Sequence, residues 1–317
     1  MNSKRTFTGF LYKLVATAIS LAAALAVLNK LIIILSTYKR SLNKCGGEMS
    51  HTFHWKHGDI FYTVHGRGKP LLLLHDLNPS SGSHEWNKVV DSLSANHTVY
   101  SLDLLGCGRS EKPHLSYTNF LYVQLLTDFI HTVIGRKPHL ICTGTSVPLA
   151  VIASKYCPGL FENMVFVNPL PCTDASRHLF AKAYNLPLKG TFLYHLAFTR
   201  NKIKASFARQ YFYNPRYIRP VDIDNYHESA HLGDSPKSLY ASILDGLTWF
   251  SITEPLSHLE QKILIIGGAG VPDIKSTLAS YRGLNPRIET AIIDKTKYLP
   301  HMEAPAKFTA IAEKFLV

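Results

Sequence analysis

A few side chains near two turns have the types and spacing for covalent chemistry. Ser146 lies in Gly144-Thr145-Ser146-Val147-Pro148, between the apolar run His139–Thr143 and a helical stretch from Val147 to Lys155. A serine on a strand-to-helix turn can present its hydroxyl to a carbonyl carbon. The N–H of the following residue, here Val147, then points at the oxyanion that develops. Such a serine needs a proton acceptor, and His301 is the imidazole available in Lys297-Tyr298-Leu299-Pro300-His301-Met302-Glu303-Ala304-Pro305. Tyr298, three residues earlier, is a phenol with a pKa of about 10 and accepts a proton poorly at neutral pH. Asp273 could orient a base only if its loop folds back; capping the helical stretch that it begins is the simpler role. Ser146 has a simpler role too, as a turn residue capping the helix it opens.

These residues must be positioned by a regular frame. Short apolar runs alternate with helical stretches from about residue 53 onward, a pattern that predicts a largely parallel sheet. Phe53–Val64 reads as a leading hairpin with Lys56-His57-Gly58-Asp59 at its turn. Leu71–His75 is wholly apolar before its histidine, as a strand covered on both faces should be. Thr98–Leu104, His139–Thr143, Asn163–Asn168, Lys262–Ile266 and Ile288–Asp294 read as further strands. Helices are expected over Tyr117–Ile134, from Val147 and over Pro305–Leu316. Residues 170–258 interrupt the alternation with a helical, aromatic and locally basic insertion.

Four segments together resemble the α/β-hydrolase superfamily, its lid-bearing esterase and haloalkane-dehalogenase-like members in particular. Lys69-Pro70-Leu71-Leu72-Leu73-Leu74-His75-Asp76 is similar to the strand ending in His-Gly that begins the oxyanion loop. Leu102-Asp103-Leu104-Leu105-Gly106-Cys107-Gly108-Arg109-Ser110 matches the Asp-x-x-Gly-x-Gly-x-Ser signature. Gly144 to Pro148 resembles the nucleophile elbow, and Pro300-His301-Met302-Glu303-Ala304-Pro305 resembles the closing Pro-His-x-Glu-x-Pro. The resemblance implies a mostly parallel sheet with a helical lid over about 170–258, in a domain covering 51–317. It implies Ser146 as nucleophile and the Leu77 and Val147 N–H groups as oxyanion donors. It also exposes departures. The base position falls on Tyr298, the acid position on Gly270, the second elbow glycine on Pro148, and Asp76 replaces the oxyanion-loop glycine. His301 stands where relatives hold a second, non-catalytic histidine. His75 is expected to orient the loop, and Asn168 cannot replace a carboxylate's charge.

Two readings follow: a serine hydrolase cleaving an ester or other acyl bond through Ser146, or an inactive relative that binds a small apolar ligand or a partner. A weaker third is a lyase working through Tyr298 and His301.

The N-terminal 50 residues carry a different message. The net charge is +12, but seven cations (Lys4, Arg5, Lys13, Lys30, Lys39, Arg40 and Lys44) precede Glu48, the first acidic residue, and the remaining +5 is ordinary. With no recognition motif beside it, the charge does not indicate nucleic-acid binding. Leu14–Leu35 is long enough to cross a bilayer, with Lys30 able to snorkel at one end. A cleaved leader ending near Ala24-Leu25-Ala26 is the rival reading, but the apolar run resumes directly after it. A single-pass anchor is therefore expected. Its flanking charges nearly cancel, so the side taken by the globular part is not set, and the sequon Asn96-His97-Thr98 is weak evidence. The five cysteines have no ligand spacing, so no metal or cofactor is expected, while a single disulfide stays possible.

Overall fold

The computed structural model describes residues 2–37, 49–171, 184, 186, 189–233 and 236–316. Eight strands form one sheet in the order β1-β2-β4-β3-β5-β6-β7-β8. β1 (Ser50–Trp55) and β2 (Gly58–His65) make the expected hairpin, with Gly58 at a φ of 139° that suits glycine. β2 runs antiparallel to β4 (His97–Leu102). From there β3 (Lys69–Leu74), β5 (His139–Thr143), β6 (Met164–Val167), β7 (Ile263–Gly268) and β8 (Ile288–Ile293) are all parallel.

The alternation of side chains along a strand explains why the central runs are continuously apolar. Leu72, Leu74, Leu140 and Cys142 face a core shared with α2 (Asn119–Phe129), α3 (Ser146–Tyr156) and α8 (Ile274–Leu284). Leu71, Leu73, Ile141 and Val165 face a second core closed by Phe308, Ala312 and Leu316 of α9 (Pro305–Leu316). Each parallel strand therefore ends on the same side of the sheet, where its following loop can gather functional groups.

The insertion between β6 and β7 contains α4 (Lys189–Ala197), α5 (Arg200–Ser206), α6 (Pro220–His231) and α7 (Pro236–Leu244). Its own core is Ile203, Phe207, Phe212, Ile223 and Tyr226, and these pack on Leu299 and Met302 from the C-terminal loop. α1 (Asn2–Thr37) includes the 23-residue apolar stretch Gly9–Leu31. Among its described side chains, exposure falls around Leu25, Ala26 and Asn29, and the helix approaches α4 and α6. Cys107, Cys142 and Cys157 are free thiols, whereas Cys45 and Cys172 lie outside the described residues.

Candidate functional site

The strand-to-helix corner after β5 turns at Gly144, whose φ of 50° lies in the left-handed region. Thr145 is already helical in its dihedrals, and Ser146 is the first residue of α3. This corrects the expectation for Ser146. Its side chain is fully buried, and its hydroxyl donates to the His75 carbonyl at 2.6 Å. It fastens the loop after β3 and does not line the cavity above Gly144. Val147 is corrected with it, because its N–H bonds back to the Gly144 carbonyl at 3.3 Å within the turn. The N–H that follows the corner belongs to Thr145, and the corner itself has no side chain.

Asp76 fills the space this leaves. A Cβ placed on Gly144 would lie 2.5 Å from Asp76 Oδ1. That oxygen accepts from the Thr145 N–H at 2.8 Å and from the Thr145 hydroxyl at 2.5 Å. The Leu77 N–H, the other expected oxyanion donor, is taken by Thr145 Oγ1 at 2.9 Å. An anion from the protein itself thus sits where an acyl-transfer oxyanion would need those donors. His75 anchors the loop behind it. Its Nδ1 donates to the Asp76 carbonyl at 2.7 Å and its Nε2 accepts from the Leu104 N–H at 3.0 Å. Burial lowers its pKa, in keeping with a neutral ring. Below Asp76, Glu85 accepts from the Asp76 N–H at 3.3 Å; burial first, and Asp76 second, raise its pKa to about 8.

The positions matching the acid and base carry a glycine and a tyrosine. Gly270 bonds to the Thr296 carbonyl at 2.8 Å and lies against Tyr213 and Lys297. Asp273 is exposed and precedes α8 with a left-handed φ of 55°, and its side chain makes no capping bond. Tyr298 is partly exposed, and its ring meets Tyr211 edge-on at 6.0 Å. His301, the alternative base, is fully buried between Trp86 and Phe308, with ring centroids at 4.6 and 5.7 Å. Neither of its nitrogens has a hydrogen-bond partner among the described residues, and burial pushes its pKa down to about 3. It makes no bond to Ser146, so the proposed relay between the two is not assembled.

Two residues hold this region in shape. Asn168 has a left-handed φ of 45° and directly follows β6. Its Nδ2 donates to the carbonyls of Lys297 and Tyr298 at 2.9 and 3.0 Å, and its Oδ1 accepts from the Gly268 N–H at 2.9 Å. Glu303 accepts from the N–H groups of Lys297, Tyr213 and Asn214, binding the lid to the loop that carries Tyr298. The sequence offered Glu303 only as part of a tail motif; a carboxylate reading three backbone donors in two segments leaves no local signature.

Above Gly144 lies a cavity of about 630 Å³, bordered by Asp76, Thr145, Leu170, Tyr211, Val271 and Tyr298, and also by Asp273. Asp76 and Tyr211 separate it from a smaller one of about 110 Å³, which reaches Glu85, Phe207 and Tyr226. The larger cavity therefore brings together Asp76, Tyr298 and Asp273, while Ser146 and His301 border neither.

A fold of parallel strands, elbow, lid and C-terminal loop in this order is shared with known proteins. Residues 64–311 match the profile of the alpha/beta hydrolase family, and the chain belongs to that family. A 70-residue segment is 33% identical to 2-hydroxy-6-oxo-6-(2'-aminophenyl)hexa-2,4-dienoic acid hydrolase of Metapseudomonas resinovorans, covering 22% of this chain and 24% of that one. A 59-residue segment is 37% identical to a haloalkane dehalogenase of Agrobacterium fabrum, covering 19% of each chain. The chain spans about a quarter of the length of these curated relatives. Among solved structures, naproxen esterase from Bacillus subtilis superposes with a TM-score of 0.72 at 20% identity, over 91% of this chain and 98% of that one. A bacterial membrane phospholipase A superposes at 0.66 with 18% identity, over 99% and 98%. At such identities these superpositions speak for the fold alone.

Proposed function

We propose that the protein is a membrane-anchored, ligand-binding member of the alpha/beta hydrolase family that holds a small apolar ligand in the cavity above Gly144. One observation carries this reading: the Asp76 carboxylate stands in the space of a corner side chain and takes the Thr145 N–H that an oxyanion would use. An oxyanion seeking the same donor would be set against the Asp76 carboxylate, which a partly buried site opposes strongly. The apolar lining from Leu170, Val271 and Ile274 supports a hydrophobic occupant. The exposed 23-residue span of α1 supports the anchor.

Family membership favours the rival reading, hydrolysis of an acyl substrate through Ser146. The two are separated by labelling the full chain with a fluorophosphonate. The expected result is no label on the unmodified protein. Label is expected only after the combined substitutions Asp76→Gly, Gly144→Ser, Gly270→Asp and Tyr298→His, which free the oxyanion donors and reinstate a nucleophile, an acid and a base. Labelling of the unmodified chain that disappears in Ser146→Ala would establish the rival instead.

A further inference from the structure

From the charge left in the cavity floor we infer that the ligand is an organic ammonium ion with an apolar body, its cation held by Asp76. This deepens the ligand-binding reading and rests on it. Asp76 Oδ1 is engaged by Thr145. Yet no ion pair within 4.0 Å among the described residues involves Asp76. Asp76 is partly buried, no hydrogen bond among the described residues reaches its Oδ2, and a cation entering the cavity would supply the ion-pair partner.

The surroundings agree. Tyr211 is partly buried and lines the cavity together with Asp76 and Tyr298, so two aromatic rings border the space an ammonium body would enter. Glu85, adjacent to Asp76, keeps its proton to about pH 8. Opposite charges do border the same space. Lys297 donates its ammonium to the Arg209 carbonyl at 3.0 Å, and Arg209 is exposed. Asp273, also exposed, is their counterweight. Water and salt screen these outer charges far more than they screen Asp76. The result reverses the polarity of a hydrolase site: donors that would receive an anion are already filled, and the floor now presents an acceptor.

The test uses three ligands of similar size on the full chain in zwitterionic lipid nanodiscs, with protein-free nanodiscs as blanks: phenethylammonium, 2-phenylethanol and 3-phenylpropanoate. Phenethylammonium is expected to bind about tenfold more tightly than the alcohol, the gain of one charged hydrogen bond, with the carboxylate weakest. In Asp76→Asn the amide oxygen can still accept from Thr145, so the loop should hold. Ammonium and alcohol should then bind within about twofold of each other, a difference too small for an ion pair. Alcohol binding in that variant reports that it is folded. If the alcohol binds but the ammonium has no advantage, or the advantage survives Asp76→Asn, the ammonium inference is overturned while the cavity remains a ligand site. Tightest binding by the carboxylate overturns it as well. If none of the three binds, the ligand-binding reading itself falls.

Discussion

Asn168 shows how much a single side chain can organise here. Its amide joins the ends of β6 and β7 to the loop after β8, using three hydrogen bonds in a buried setting. Asn168→Ala would leave the Lys297 and Tyr298 carbonyls and the Gly268 N–H without that partner, and would place alanine at a φ of 45°. A loss of about 2–4 kcal/mol is expected, from unsatisfied buried groups and a left-handed backbone. Urea unfolding measures it, and a loss under about 0.5 kcal/mol, the scale of an ordinary surface change, would contradict this role.

The same scale explains what the sequence could and could not reveal. Tyr298 and Gly270 were legible as replacements because fixed neighbours flank them: Pro300, Glu303 and Pro305 for one, the Gly-rich end of β7 for the other. Ser146 drew the nucleophile role because a serine between a strand and a helix is a strong signal. The structure moves the corner two residues earlier. A readable clue existed: the apolar run ends at Thr143, and the residue directly after it, Gly144, is the type that turns a corner with positive φ. Cys142 and Ser146, two residues to either side, are the small neighbours such a tight turn requires. The Asp76 carboxylate seated on Thr145 was beyond reach, since its partners lie 69 residues away.

Among elements, the lid carries its own chemistry in a stack of three imidazoles. His195 of α4 lies 5.0 Å from His231 of α6, whose ring is 4.2 Å from His227. Burial first, and their mutual repulsion second, lower His195 to a pKa of about 4. Burial brings His231 to about 4 as well, against the bond that its Nδ1 makes with the His227 carbonyl. Tyr194 meets His195 edge-on, Lys237 lines a small lid cavity with His195 and His231, and Arg200 and Asp224 act on His227. The folded state holds these rings neutral, whereas the unfolded chain protonates them near 6.5. Between those values the unfolded chain binds more protons, so lid stability is full above about pH 6.5 and is lost as pH falls toward 4. Hydrogen exchange across that window should show α4 and α6 opening before β5 and β6. Simultaneous loss of protection in lid and sheet would argue against a local origin, and His195→Phe should blunt the effect.

The parallel sheet was the most legible part of the molecule for a complementary reason. Strands covered on both faces must be apolar throughout, so β3 and β5 announce themselves without any partner in view. The lid's helices were expected as a group, but their packing on Leu299 and Met302 depends on contacts between distant segments.

At the scale of the whole molecule, α1 meets the globular part at the lid. Among its described side chains, Leu25, Ala26 and Asn29 are covered, and those from Gly9 to Ala24 are exposed. An intact N-terminus and retention in membranes after alkaline carbonate washing are the expected outcomes for an anchor of this length. A mature chain starting after Ala26 by mass spectrometry would identify the segment as a leader instead.

The contact between Asp76 and the corner glycine also couples the two positions. Because a Cβ at position 144 would lie 2.5 Å from Asp76 Oδ1, a side chain there and the present Asp76 rotamer cannot coexist. A serine introduced at this corner would therefore push the Asp76 carboxylate off the Thr145 N–H, so one substitution would both add a hydroxyl and release a donor.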